Sequence, residues 1–231
     1  MNADALKRAA AAKALTFVES GMRLGLGTGT TAEIFLELLV EKIRGGLNIV
    51  GAPTSKRTQE KARALDIPLD DLDRLAPLDL AIDGADEADR DLNLIKGGGG
   101  ALLREKIVAA SARRMIVIAD SSKLVERLGR FPLPVEVTPF GHATTAQRIK
   151  NVVAALGYAE VAIRLRNGFV TDSGNVIYDC GLGAIRDPRL LAMSLDVVPG
   201  VVDHGLFLNL ATTLIVAGPN GVEIINKPPS P

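Results

Sequence analysis

Leu78-Asp-Leu-Ala-Ile-Asp83-Gly-Ala-Asp86-Glu87 is the stretch that decides the fold. Its first part, Leu78–Asp83, is apolar at nearly every position and ends on a carboxylate. A strand with one wet face alternates apolar and polar residues. A strand covered on both faces reads instead as one apolar run, as in a parallel sheet. Met115-Ile-Val-Ile-Ala119 has the same character, and Ala101–Arg113 between the two runs has helical spacing. Toward the N-terminus, strands are expected over Arg23–Gly27 and Leu47–Gly51. Helices are expected over residues 3–20, where Gly21 stops the first, and over Thr30–Arg44 and Thr54–Leu65. Strands alternating with helices across short loops predict an α/β fold, an open and mostly parallel sheet with helices on both faces.

The pattern changes near Pro132. Strands are expected over Leu133–Val137, Ala159–Leu165 and Phe169–Thr171, then a turn at Asp172-Ser173-Gly174-Asn175 and a strand over Val176–Cys180. Helices are expected over Thr144–Leu156 and Asp187–Val197. This is the signature of a smaller α+β unit set into the first. The division expected is residues 1–130 plus 208–231 for the large unit and 131–207 for the small one. Thr213–Ala217 and Val222–Ile225, around Pro219-Asn220-Gly221, form a hairpin that can rejoin the first sheet, and Pro228–Pro231 is expected to fray.

Composition limits the function. Among 231 residues, Lys plus Arg and Asp plus Glu both total 27, and aromatics make up 3%. Nucleic-acid binders carry a basic excess to replace phosphate counterions and aromatics to stack on bases, so nucleic acid is not an expected partner. No apolar run reaches the ~18 residues of a membrane span. Met1–Ser20 is interrupted by Lys13 and Glu19 and suits a surface helix better than a signal peptide. One cysteine, Cys180, cannot make an intrachain disulfide, fits a reducing cytoplasm and reads as a small core residue.

Four stretches carry chemistry. Gly25-Leu-Gly-Thr-Gly-Thr-Thr31 follows a strand and opens a helix, where free N–H groups bind anions, and Thr28, Thr30 and Thr31 add hydroxyls around Gly29. Its G-x-G-x-G spacing is not the dinucleotide fingerprint, no acidic residue ends the next strand, and no Gly-Lys-Ser/Thr makes it a P-loop. Asp83-Gly84-Ala85-Asp86 lies at the C-terminal end of a buried strand, where open α/β sheets bind ligands. Lys96 heads the run Gly97-Gly98-Gly99-Gly100, which supplies a cation and close-approaching backbone. Glu105 follows on the first turns of a helix, expected to be packed by Leu102 and Ile107 with a pKa raised toward ~6–7, as suits a general base. Lys123, ending Asp120-Ser121-Ser122-Lys123, is a second cation and Lys7 a weaker third. His142 and His204 lack metal-ligand spacing and read as structural or exposed.

Taken together, the motifs at 25–31, 83–87, 96–100, Arg104-Glu105-Lys106 and Ala119–Lys123 resemble the ribose-5-phosphate isomerase type A family. The likeness continues through residues 131–137, 170–176 and 199–207. The resemblance implies interconversion of D-ribose 5-phosphate and D-ribulose 5-phosphate in the pentose phosphate pathway, without cofactor or metal. It also implies a homodimer or homotetramer, with a Rossmann-like large domain and an inserted ferredoxin-like one. By motif position Glu105 matches the general base, with Asp83 and Lys96 also catalytic. Asp83, Asp86, Lys96 and Lys123 match substrate contacts and Thr28–Thr31 the sugar-phosphate loop. Gly84, Ala85, Gly97, Gly98, Gly99 and Lys7 complete the expected binding set. The sequence departs mildly, with Thr30 where Ser is common and Gly100 where Ala is frequent. A related sugar-phosphate deaminase or acyl-CoA transferase, or a sugar-phosphate sensing domain, is the alternative. Neither histidine sits in a motif that a deaminase would use, and no basic DNA-reading segment accompanies a sensor.

Overall fold

The computed structural model describes residues 2–158 and 160–227. Asn2 caps the first helix, α1 (Ala3–Leu15), by accepting from Ala5 N at 2.8 Å. The chain then alternates through β1 (Arg23–Leu26), α2 (Thr30–Arg44), β2 (Val50–Pro53), α3 (Lys56–Ala64), the one-turn α4 (Leu72–Leu75) and β3 (Leu80–Asp83). Two short strands, β4 (Glu87–Ala88) and β5 (Leu94–Ile95), lead to α5 (Leu102–Ala110) and β6 (Met115–Asp120). The second unit comprises β7 (Leu133–Val137), α6 (His142–Ala155), β8 (Ala162–Leu165), β9 (Val176–Gly181), α7 (Pro188–Asp196) and β10 (Val201–His204). The chain returns through β11 (Leu206–Phe207), β12 (Thr213–Gly218) and β13 (Gly221–Asn226).

The large sheet has the order β13-β12-β6-β3-β1-β2, parallel except for β13. Strands β3 and β6 are buried at every position, as their apolar runs require. On one face Ala10, Ala11 and Ala14 of α1 pack with Phe35, Leu36 and Leu39 of α2. On the other, Val108 and Ala109 of α5 pack against the sheet. From β1 the chain goes to β2 on one side, then crosses to β3 on the other. The ends of β1 and β3 therefore diverge at a topological switch point, where such sheets open a crevice.

The second sheet, β10-β7-β9-β8, is antiparallel. Its β-α-β-β-α-β chain order is that of a ferredoxin-like unit. Val135, Ile149, Val153, Leu191 and Leu195 fill its core together with Cys180, a small buried side chain as expected.

Several boundaries differ from the sequence reading. Helix α1 stops at Leu15 rather than residue 20, and β2 begins at Val50 rather than Leu47. Phe169–Thr171 is a loop rather than a strand, because Thr171 turns its hydroxyl to Ser173 N and Asn175 N and to Glu136 Oε1. The strand expected from Ala159 begins at Ala162, and Ala159 itself, like Pro228–Pro231, lies outside the described residues. A third sheet, β11-β5-β4, was not foreseen, since two-residue strands carry no periodic signal.

Candidate active site

Asp83 leaves β3 at the switch point and is buried. Its Oδ1 accepts from Thr28 N at 3.0 Å and from Gly84 N at 2.7 Å, so the loop after β1 is tied to the loop after β3. A Cβ on Gly27 would stand 2.3 Å from that oxygen, so only glycine permits the approach. The other oxygen faces Lys96 Nζ at 3.0 Å. Lys96 Nζ also lies 3.3 Å from Glu105 Oε1 and donates to Gly84 O at 2.6 Å. Behind it the Phe207 ring stands 5.5 Å away. Asp86 holds the glycine run by accepting from Gly98 N at 2.7 Å.

Burial is the largest influence on the Lys96 charge and opposes it. Asp83, Glu105 and Asp86 together outweigh that penalty and hold its pKa above the ordinary lysine range. The two carboxylates share one cation in a dry place, and burial raises the pKa of both. For Glu105 the value is raised to about 8, with Asp83 and Asp86 adding to the effect of burial and Lys96 opposing it. Asp83 has backbone donors on Oδ1 and the ammonium on Oδ2, whereas Glu105 Oε2 is buried without a hydrogen-bond partner among the described residues. Glu105 therefore has fewer partners that favour its charged form than Asp83 has.

The direction of the Glu105 shift agrees with the sequence reading and its size exceeds it. Leu102 is buried, whereas Ile107, expected to pack over Glu105, is 48% exposed. Glu105 instead faces the sheet with Gly25, Ile82, Asp83 and Met115 around it.

One open cleft is lined by Thr28, Gly29, Thr30 and Thr31 after β1, Gly84, Ala85 and Asp86 after β3, and Lys96, Gly97, Gly99 and Glu105. Lys7 of α1 and Lys123, from the 3-10 turn after β6, bring two more cations to the same cleft. Of the expected residues, Asp83 lies beneath the cleft and Gly98 is turned to Asp86.

The Thr28 hydroxyl departs from its expected role as a ligand donor. It sits in a knot with the hydroxyls of Thr54 (2.7 Å), Ser55 (2.8 Å) and Thr58 (2.9 Å). Thr58 and Thr54 in turn donate to Gly27 O and Leu26 O. The knot fixes the loop from below, and Thr28 still lines the cleft.

Glu87, fifth in the Asp83–Glu87 motif, is also structural. It is buried and accepts from Gly129 N and Phe131 N, both at 2.7 Å. His142 contacts the Tyr178 hydroxyl at 2.7 Å. His204 is buried, its Nδ1 accepts from Leu206 N at 3.2 Å, and burial pushes its pKa down to about 3. Asp196 Oδ1 is 3.2 Å from its Nε2 but out of line for a hydrogen bond, so the ring stays neutral. Among the described residues no group of three or more His, Cys, Asp or Glu is arranged to hold a metal ion. Among the described residues no helix is long and apolar enough to cross a membrane.

These features define a class: a Rossmann-like α/β protein with two buried carboxyls about one lysine at its switch point and further lysines lining an open cleft. The family profile of ribose 5-phosphate isomerase A (phosphoriboisomerase A) matches residues 50–221, and the chain belongs to that family of isomerases. Ribose-5-phosphate isomerase A of Rhodopseudomonas palustris (strain BisA53) is 56% identical over 233 residues, covering 99% of this chain and 96% of the relative. That of Brucella suis biovar 1 is 53% identical over 225 residues, covering 96% and 97%. The crystal structure of ribose 5 phosphate isomerase A from Neisseria gonorrhoeae superposes with a TM-score of 0.90 at 36% identity, covering 99% of both chains. A D-ribose-5-phosphate isomerase in complex with phospho-erythronic acid has a TM-score of 0.88 at 39% identity, covering 98% of this chain and all of the other.

Proposed function

We propose that the chain interconverts D-ribose 5-phosphate and D-ribulose 5-phosphate through a cis-enediolate, with Glu105 as the general base. The observation that carries the reading is Glu105 in the lining of the cleft, a carboxyl with one oxygen beside Lys96 and the other, Oε2, buried without a hydrogen-bond partner among the described residues. In the open-chain aldose, Glu105 takes the proton from C2. The C–H electron pair forms the C1–C2 double bond and the carbonyl pair moves onto O1. Lys96 and the glycine N–H groups meet that charge. Asp83 passes the O2 proton to O1, the carbonyl forms at C2, and Glu105 returns its proton to C1.

One carboxylate serves both carbons because both lie on the same face of the planar intermediate. The backbone of the Thr28–Thr31 loop, the hydroxyls of Thr30 and Thr31, and Lys7 and Lys123 hold the phosphate, whose binding energy places the reacting end. Asp86, Gly84 and Ala85 border the hydroxyl-bearing carbons, and the step uses no cofactor.

On the same footing we assign the reaction to the non-oxidative pentose phosphate pathway, in the cytoplasm, by a homodimer or homotetramer. Residues 1–130 with 208–231, and residues 131–207, are proposed as the two units, since each sheet has its own apolar core. A coupled assay for ribulose 5-phosphate, run with EDTA, tests the activity. Glu105→Gln should lower kcat by at least ~10²-fold with modest change in KM, as expected for loss of a general base. Near-normal turnover by that variant would remove Glu105 from the role.

A further inference from the structure

The glycine run after Lys96 is gripped from outside by the second unit. Arg166, just past β8, donates from Nη1 to the carbonyl oxygens of Gly97 at 3.2 Å and Gly98 at 3.1 Å. Its Nε donates to Asp179 Oδ2 at 3.0 Å and its Nη2 to Oδ1, so a two-point carboxylate pair on β9 fixes the guanidinium plane. The Phe169 ring lies 5.5 Å from the guanidinium and covers Gly100.

The C=O and N–H of a trans peptide point in opposite directions. Anchoring two successive carbonyls on Arg166 therefore turns the Gly98 and Gly99 N–H groups the other way. Asp86 takes the first of these. The second has no acceptor among the described residues, and Gly99 lines the cleft. Successive N–H groups on one side of a loop make an anion-binding concavity.

We propose that Arg166 is a positioning residue whose grip on the Gly97 and Gly98 carbonyls presents the Gly99 N–H to the enediolate oxygen. The inference rests on the isomerase reading above. Arg166 itself does not touch the substrate. A guanidinium that merely tied the two units together would affect stability or binding, whereas one that aims a donor at developing charge acts on kcat.

Arg166→Met keeps the aliphatic stem and loses both carbonyl contacts. With ribose 5-phosphate, kcat should fall about 10- to 100-fold with KM within about twofold, a little less than the loss of a whole oxyanion donor. Asp179→Asn leaves the arginine but loosens it, so a smaller loss in the same direction is expected. The Ki of phospho-erythronic acid, whose planar carboxylate mimics the enediolate oxygens, should rise by a factor comparable to the fall in kcat. Inhibition by inorganic phosphate should not change.

Full kcat in a folded Arg166→Met, a loss confined to KM, or an unchanged Ki would each overturn the proposal. If Arg166→Met does not fold, Asp179→Asn decides by the same criteria. Glu105→Gln assayed alongside separates the two levels. Turnover retained by Glu105→Gln defeats the isomerase mechanism, while a dead Glu105→Gln beside a fully active Arg166→Met defeats only the role of Arg166.

Discussion

Glu105 is held between a cation that favours its charge and a dry, doubly acidic setting that opposes it. Asp83 is among the charges that raise its pKa. Asp83→Asn should therefore move the Glu105 titration down from about 8 toward the ordinary carboxylate range, followed by the side-chain carboxyl carbon shift in NMR. A titration that stayed in place would mean that burial alone sets the value.

At this scale the sequence was informative wherever spacing implied proximity. Asp83 directly after a buried strand, and Glu105 on the first turn after a lysine-led glycine run, were both readable. The inward turn of the Thr28 hydroxyl was not, because it depends on Thr54, Ser55 and Thr58, which reach it from the next strand and helix. Arg166 was missed for the same reason, since 69 positions separate it from Gly97.

Helix α5 shows how an element aims one side chain by anchoring its neighbours. Arg104 donates to Asp172 O at 3.3 Å, and Lys106 donates to His204 O at 2.7 Å and pairs with Asp203. Glu105, between them, points into the sheet. The glycine run ahead of the helix is shaped by a fit between elements: Gly100 has φ +81°, and a Cβ there would meet the Phe169 ring at 2.1 Å. Gly100→Ala should cost about 1–3 kcal/mol from strain and overpacking. Phe169→Leu should recover part of that loss in a double-mutant cycle read by denaturant unfolding. Simple additivity would place the whole cost in the backbone. The helices and long strands were legible from their periodicity, whereas β4, β5 and β11 are defined by pairing alone, β5 lying between β4 and β11 of the return chain.

For the molecule as a whole, the buried site sets the pH dependence of stability. Folded Glu105 keeps its proton up to about 8, while the unfolded chain releases it near 4.5, so stability falls as pH rises through that interval. His204 acts in the opposite sense. Its folded pKa is lowered to about 3 from an ordinary 6.5, so stability is intact above that value and falls as pH drops through the interval. The Tm advantage of Glu105→Gln over the parent should grow from about pH 5 to about pH 8, and that of His204→Asn should grow as pH falls from about 6.5 to about 4. Calorimetry across that range checks both, and parallel profiles would show that neither group is responsible.

Strand β6 pairs with β12 in the register Ile116↔Thr213, a separation of 97 positions (213 − 116). On the ribosome, β6 is made before the whole second unit, and its outer edge has no partner until β12 emerges. Nascent chains thus carry Met115-Ile-Val-Ile-Ala119 as an uncovered apolar edge throughout that interval, the kind of edge that recruits other chains. A chain ended after Thr212 should partition into the insoluble fraction while the full chain stays soluble, as sedimentation after expression would show. Such contacts between distant parts of the sequence are slow to form. The strand at the centre of this enzyme is therefore also the one whose protection during synthesis depends most on time, and conditions that slow elongation past residue 120 should lower the yield of soluble protein more than the stability of the finished fold.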